Sequence, residues 1–272
     1  MRYNFGKAID AIMHKDWWFW CLLIIPYAYF SIHVNNNPKN FFVPTYLIAG
    51  IAAFFLYPAF LGFILKYAKA YAYNLDKDSI EFNFGSFWVL GFKYYIFQIL
   101  LFLIVYIAFI PITLAVLIFI PFAQMVSPLW LIILGIVGII FTIKLAVKFF
   151  LNTLVAPIRF IKDNDMSVAF KINENNMLFN RNSSAFMKLI GWLIVAGLLL
   201  LILALLMSIV STISQIFIIL GNAFITYAGA MIGINLQAQT LQHILPQLDP
   251  DYAQQNEIQD INQNNSASPY QQ

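Results

Sequence analysis

Six long apolar stretches, at about 17–33, 41–65, 94–122, 128–150, 189–207 and 216–237, are separated by short polar or charged segments. Stretches of this length read as membrane-spanning helices. In hydrocarbon only a helix or a closed barrel satisfies every backbone polar group. The third stretch has no charge and, as a helix, would reach about 43 Å, beyond a hydrocarbon core of roughly 30 Å. It must tilt, or kink or break at Pro111. The sequence 189–237 is nearly continuous, apolar and free of proline. As one helix it would reach about 73 Å, so it must turn. The cluster Ser208, Ser211, Thr212, Ser214 and Gln215 is the place for that turn.

The separating segments fix an orientation. Every Lys and Arg except Lys39, and every Asp and Glu, lies on one side of a six-span topology. Loops that retain Lys and Arg are cytoplasmic, so both termini are expected inside. The chain is 61% hydrophobic and 10% charged, against about 25% charged in a soluble domain. A net charge of +3 supports no nucleic-acid partner. It fits basic residues at an anionic membrane surface. The lone Cys21 excludes an intramolecular disulfide and a cysteine-cluster metal site, and reads as an apolar filler. The first apolar run has no small-residue cleavage pattern and reads as a retained anchor.

At the start of the chain Phe5, Ala8, Ile9, Ile12 and Met13 share one helical face, with Lys7, Asp10 and Lys15 off it. Such a helix rests in the headgroup plane. Asp16 is placed to cap the first span, and Trp17, Trp18 and Trp20 form an aromatic belt. Asn35-Asn36-Asn37-Pro38 is a loop signal. Similar amphipathic lead-ins precede each pair of spans: Asn4-Phe5-Gly6, Asn83-Phe84-Gly85, and Val168-Ala169-Phe170. They suggest a threefold internal repeat, although shared interface composition explains much of the likeness. Residues 249–272 are rich in Asn, Gln and Ser and contain no Lys or Arg. They hold too little apolar surface to offset ordering entropy, so a disordered cytoplasmic tail is expected after a membrane domain of residues 1–248.

The residues imply no catalytic centre, cofactor or metal site. His14, His33 and His243 are scattered, no His-x-x-x-His or Gly-rich phosphate loop occurs, and no acid lies inside a span. Proton-coupled carriers place ionisable groups there. Two polar features remain. Asn222, Thr226, Gly229 and Gly233 form one stripe on the sixth span. Small residues let helix backbones approach and Asn or Thr bond across them, so the stripe reads as a packing face, with a solute path as the alternative. On that reading Met231, off the stripe, tolerates a large side chain. Lys144 and Lys148 sit one turn apart near the inner end of span four. They read as snorkelling residues, with an anion or lipid-headgroup contact as the alternative.

The segment Ala156-Pro157-Ile158-Arg159-Phe160-Ile161 with Asp163, then Ser167-Val168-Ala169-Phe170 and Asn182 before a span, resembles an uncharacterised prokaryotic integral-membrane family, domain of unknown function 4013. Phe5-Gly6-Lys7-Ala8 to Asp16-Trp17, Gly62 with Lys66-Tyr67, Gly91-Phe92, Tyr227 and Gln237 are similar to that family as well. The likeness runs from about Tyr3 to Thr240. Ile80-Glu81-Phe82 departs from the Leu-Pro often found there. Membrane domains attached to glycerophosphodiester phosphodiesterases have a similar architecture. The resemblance implies a prokaryotic cytoplasmic-membrane protein and assigns no activity.

The expected fold is an all-α, six-span membrane bundle with amphipathic interfacial segments and both ends inside. The expected function is that of a non-enzymatic component binding membrane lipid or a protein on the cytoplasmic side. The alternative is a small-solute or lipid permease. Reporter fusions after Asn36, Gln124 and Ser211 should read outside, and fusions after Asp78, Asn175 and Asp260 inside. An inside signal at any of the first three would overturn the topology.

Overall fold

A computed structural model describes residues 3–13, 16–36, 43–76, 80–122, 128–210 and 215–249. Eight α-helices occur among them: α1 Phe5–Asp10, α2 Trp17–Asn36, α3 Pro44–Ala72, α4 Phe84–Phe122, α5 Pro128–Asp163, α6 Ile172–Arg181, α7 Ser183–Val210 and α8 Gln215–Leu248. Short 3-10 turns follow α1 at Ala11–Met13 and precede α6 at Met166–Phe170. No strand occurs among the described residues. Six of the helices are long and apolar enough to cross a membrane. The chain is therefore a multi-pass α-helical membrane protein. The expected tail lies outside the described residues beyond Asp249, as do Lys39 and, of the expected turn cluster, Ser211, Thr212 and Ser214. Of the same cluster, Ser208 lies in the last turn of α7 and Gln215 opens α8.

The helices outlast the apolar stretches, mostly at the ends bearing the charged segments. Helix α3 continues past Lys66 and Lys69 because Tyr67, Ala68 and Ala72 keep a buried face there. It stops at Asn74, which takes a positive φ of 53°. Asparagine tolerates that conformation better than most residues. Leu75 N–H bonds Ala70 O at 2.8 Å and Asn74 N–H bonds Tyr71 O at 3.2 Å, which closes the last orphan carbonyls. Helix α5 ends the same way at Asn164, φ 53°. The helical backbone of α4 passes Pro111 without a break. Its 39 residues would span about 58 Å, so part of it extends beyond a ~30 Å hydrocarbon layer. The lead-in Asn83-Phe84-Gly85 is the first turn of this helix, capped by Ser86 N–H donating to Asn83 Oδ1 at 2.9 Å. Asn4 caps α1 equivalently, accepting from Lys7 N–H at 3.0 Å.

The chain divides into two compact units. The first comprises Met1–Ala53, Ile64–Phe82 and Ser184–Gln272. In it α2 packs along α8, and α1 and its 3-10 turn also pack on α8. Trp20, Ile24 and Ala28 recur every four residues and form the buried stripe of α2. Trp20 is thus part of the core rather than of an interfacial belt, whereas Trp18 stays exposed. On the terminal segment Ala8 and Ala11 are buried, while Ile9 and Met13 remain exposed.

The second unit comprises Phe54–Phe63 and Asn83–Ser183. Phe97 and Tyr94 of α4 meet Phe160 of α5 with ring centroids 4.6 Å and 5.3 Å apart. Trp88 and Phe92 stack at 4.9 Å. Two glycines bring α3 and α4 into close contact. A Cβ on Gly62 would overlap the carbonyl of Phe87, and one on Gly91 would overlap the carbonyl of Pro58. Backbone therefore lies on backbone, as small residues permit between membrane helices. Farther along α4, Phe102 and Tyr106 are 77% and 71% exposed. On a spanning helix that exposure is to lipid.

Gly62→Ala and Gly91→Ala should each destabilise the protein, because the helices must separate by the width of a methyl group. Overpacking of this kind costs about 1–3 kcal/mol, which outweighs the roughly 1 kcal/mol that alanine gains over glycine within a helix. Gly138→Ala meets nothing within 4 Å and should be neutral or slightly stabilising. Thermal unfolding in detergent would check this. Equal melting temperatures for all three variants would refute the close contact.

Candidate functional site

Two clusters of uncharged polar side chains are buried near the ends of α5 and α8. Each holds a short amphipathic segment against a spanning helix. In the second unit Asn152 and Arg159 are seven residues apart on α5, so they share a face two turns apart. After Asn164 reverses the chain, Asp165 opens the 3-10 turn by accepting from Ser167 N–H at 2.9 Å. Asn175 of α6 then faces α5. Its Nδ2 donates to Asn152 Oδ1 at 2.6 Å and to Val168 O at 2.9 Å. Its Oδ1 accepts from Arg159 Nη1 at 2.7 Å. Asn152 Nδ2 donates to Ala169 O at 3.1 Å.

Both asparagines are fully buried, and each has partners on both ends of its amide. A buried polar group so satisfied avoids the penalty of an orphan. Arg159 Nη2 also reaches Glu174 Oε2 at 3.1 Å, with side-chain exposures of 14% and 59%. That pair lies in a partly wet setting where such bonds contribute little, so the asparagine contacts dominate. The Ser167 hydroxyl and then its N–H hold the Asp165 carboxyl below its usual range, with smaller help from Lys171 and Arg159. A depressed carboxyl stabilises the folded state at neutral pH, and that contribution is lost as pH falls through the depressed value.

In the first unit Gln239 of α8 reads the backbone of Asn4. Its Oε1 accepts from Asn4 N–H at 3.0 Å and its Nε2 donates to Asn4 O at 3.1 Å. The same Nε2 donates to Asn235 Oδ1 at 2.8 Å. The Tyr3 hydroxyl lies 2.8 Å from Ala185 O and 2.7 Å from Thr240 Oγ1. Burial pushes the Tyr3 phenol up, against a smaller opposing effect of Thr240. Tyr227 donates to Ile12 O at 3.1 Å, and Phe5 stacks on Trp192 at 4.8 Å. Asn235 Nδ2 and Gln237 Oε1 are buried with no hydrogen-bond partner.

The stripe on α8 does not form the centre of a buried face. Asn222 is exposed and bonds its own helix, donating to Ile218 O at 2.8 Å. Thr226 is half-buried. A Cβ on Gly229 would lie 3.2 Å from Leu200 Cδ1, whereas one on Gly233 would meet nothing within 4 Å. The buried face carries Ala223, Tyr227 and Met231, one residue round the helix. Met231 is completely buried, so the expectation that it tolerates a larger residue is overturned. Lys144 and Lys148 are exposed on α5. Sequence reasoning passed over Asn152, Asn175, Asn235 and Gln239. The available signal was the amide pair Asn235/Gln239 at i and i+4, and a lone Asn152 in an apolar run.

This architecture defines a polytopic helical membrane protein whose interfacial segments are fastened by side-chain amides. The family described as protein of unknown function (DUF4013) matches residues 46–212, more than half of the chain, and the chain belongs to that family. The match contains Gly62, Gly91, Arg159 and Asn175; the similar segments at Phe5–Trp17 and at Tyr227 and Gln237 fall outside it. No curated protein and no solved structure matches the chain.

Asn175→Leu should release α6 from α5, since it orphans Asn152 Oδ1 and removes the acceptor of Arg159 Nη1, while Val168 O keeps only the Lys171 N–H. A single buried orphan costs about 1–3 kcal/mol. Protease cleavage between Asn164 and Asn182 should accelerate at least tenfold. Asn222→Leu, which removes only a bond within one helix turn, should leave cleavage unchanged. Unchanged cleavage in both variants would refute the fastening role.

Proposed function

We propose that this protein is a non-enzymatic component of a prokaryotic cytoplasmic membrane. Both termini and the Lys/Arg-rich segments lie inside, and that face binds a protein or lipid partner. One observation carries the reading. The buried polar side chains Asn152, Asn175, Gln239 and Thr240 are consumed in fastening α1 and α6 to the ends of spanning helices. Polar chemistry here builds a fixed surface at the membrane edge. On that surface α6 leaves Met177 56% exposed beside Asn173, Asn180 and Arg181. An apolar side chain amid polar neighbours suits a contact site.

The permease reading draws on a different observation. Gly233 adjoins open space, and Gln237, one turn farther on the same face, has a buried oxygen with no partner. A polar, open face within a span is what a solute path requires.

Two measurements separate these. A photo-crosslinking residue at Met177 should give a discrete protein adduct in intact cells, while one at the lipid-exposed Leu198 should give none. Failure at Met177 would remove the protein-partner arm. Cysteine at Thr226, with Cys21 replaced by serine, should resist a membrane-impermeant thiol reagent. Ready labelling would favour the permease and overturn the scaffold.

A further inference from the structure

The two lysines on α5 present an electrostatic problem that the protein does not solve with its own groups. From Pro128 to Ile143 the helix has no charge, and Lys144 then lies about 24 Å and Lys148 about 30 Å along its axis from the start. Against a ~30 Å hydrocarbon layer, Lys144 falls just inside one edge and Lys148 at that edge. An extended lysine stem brings both ammonium groups to the level of the lipid phosphates. The lysines are one turn apart on one face, roughly 6 Å between Cβ atoms, so they also repel each other.

No carboxylate of the chain answers them among the described residues. Asp163 pairs with Lys162 at 2.9 Å, and Glu174 pairs with Arg159. Their surroundings are apolar and exposed: Phe141, Ile143, Val147 and Phe150 all lie open on the same stretch of helix. On a spanning helix such a surface meets acyl chains, so the missing negative charge must come from the lipid. Asn152 continues the same face one turn beyond Lys148, but its amide is already occupied by Asn175 and Ala169.

We infer that Lys144 and Lys148 form a binding site for the phosphate of an anionic phospholipid headgroup, whose acyl chains lie along Phe141, Ile143 and Val147. This rests on the proposal that lipid is a partner. It names the site and the headgroup charge, and it holds for either leaflet.

The test uses the full chain in nanodiscs of phosphatidylcholine with one-fifth phosphatidylglycerol, released for native mass spectrometry. The wild type should retain about one more phosphatidylglycerol than the double variant Lys144→Gln/Lys148→Gln. The double variant Lys144→Arg/Lys148→Arg, which keeps both charges, should retain it as the wild type does. Equal retention by wild type and glutamine variant would overturn the inference. Displacement of the retained lipid by millimolar inorganic phosphate would overturn the assignment to lipid. The crosslink at Met177 is read in cells and is independent of lipid retention, so failure of this site is distinguishable from failure of the partner-binding reading.

Discussion

Hydrocarbon offers no hydrogen-bond partner, and the rest of the structure depends on that. Each crossing must be a helix with its own backbone bonds closed. The cost reappears at the helix ends, where carbonyls and reversed backbone would be left bare. The chain meets it with asparagine. Asn74 and Asn164 adopt the left-handed conformation that ends α3 and α5, and Asn4 and Asn83 cap α1 and α4. Asn152 and Asn175 cover the carbonyls of the 3-10 turn between α5 and α6. The amide carries both a donor and an acceptor, so one residue type serves both kinds of orphan.

The local contacts follow one rule. The segment ahead of a helix pair packs on the second helix of the pair before it: Phe87 of α4 on Gly62 of α3, α6 on α5, and α1 on α8. The last case joins the start of the chain to its final spanning helix. The likeness of Asn4-Phe5-Gly6 to Asn83-Phe84-Gly85 corresponds to two equivalent caps. The third segment, Val168-Ala169-Phe170, differs, because a 3-10 turn capped by Asp165 stands where the others have a helix.

The six helices were legible because unbroken apolar runs have one physical outcome in a membrane. Their ends were not. Lys66 and Lys69 looked like loop charge, yet Tyr67, Ala68 and Ala72 bury a helical face between them. The stripe of Asn222, Thr226, Gly229 and Gly233 was chosen because small and polar residues stand out in an apolar helix. Apolar residues do not stand out there, so nothing in the sequence distinguished Met231, which packs inward, from Leu220, which faces outward. Gly62 and Gly91 were visible only through family likeness, since the backbones opposing them belong to a different helix.

Amides rather than ion pairs hold α1 and α6, and the energetics explain the choice. Taking a charge out of water costs several kcal/mol per ion, which a buried pair recovers only with excellent geometry. A buried amide with both ends bonded avoids that cost. Neither Asn175 nor Gln239 titrates, so their bonds persist across pH and are little screened by salt. Arg159 is the charged exception, since its guanidinium donates to Asn175 Oδ1 at 2.7 Å. Lys144 and Lys148 stay exposed on α5 and take no part in that fastening. The fastening of α1 and α6 therefore falls mainly to neutral amides bonded at both ends.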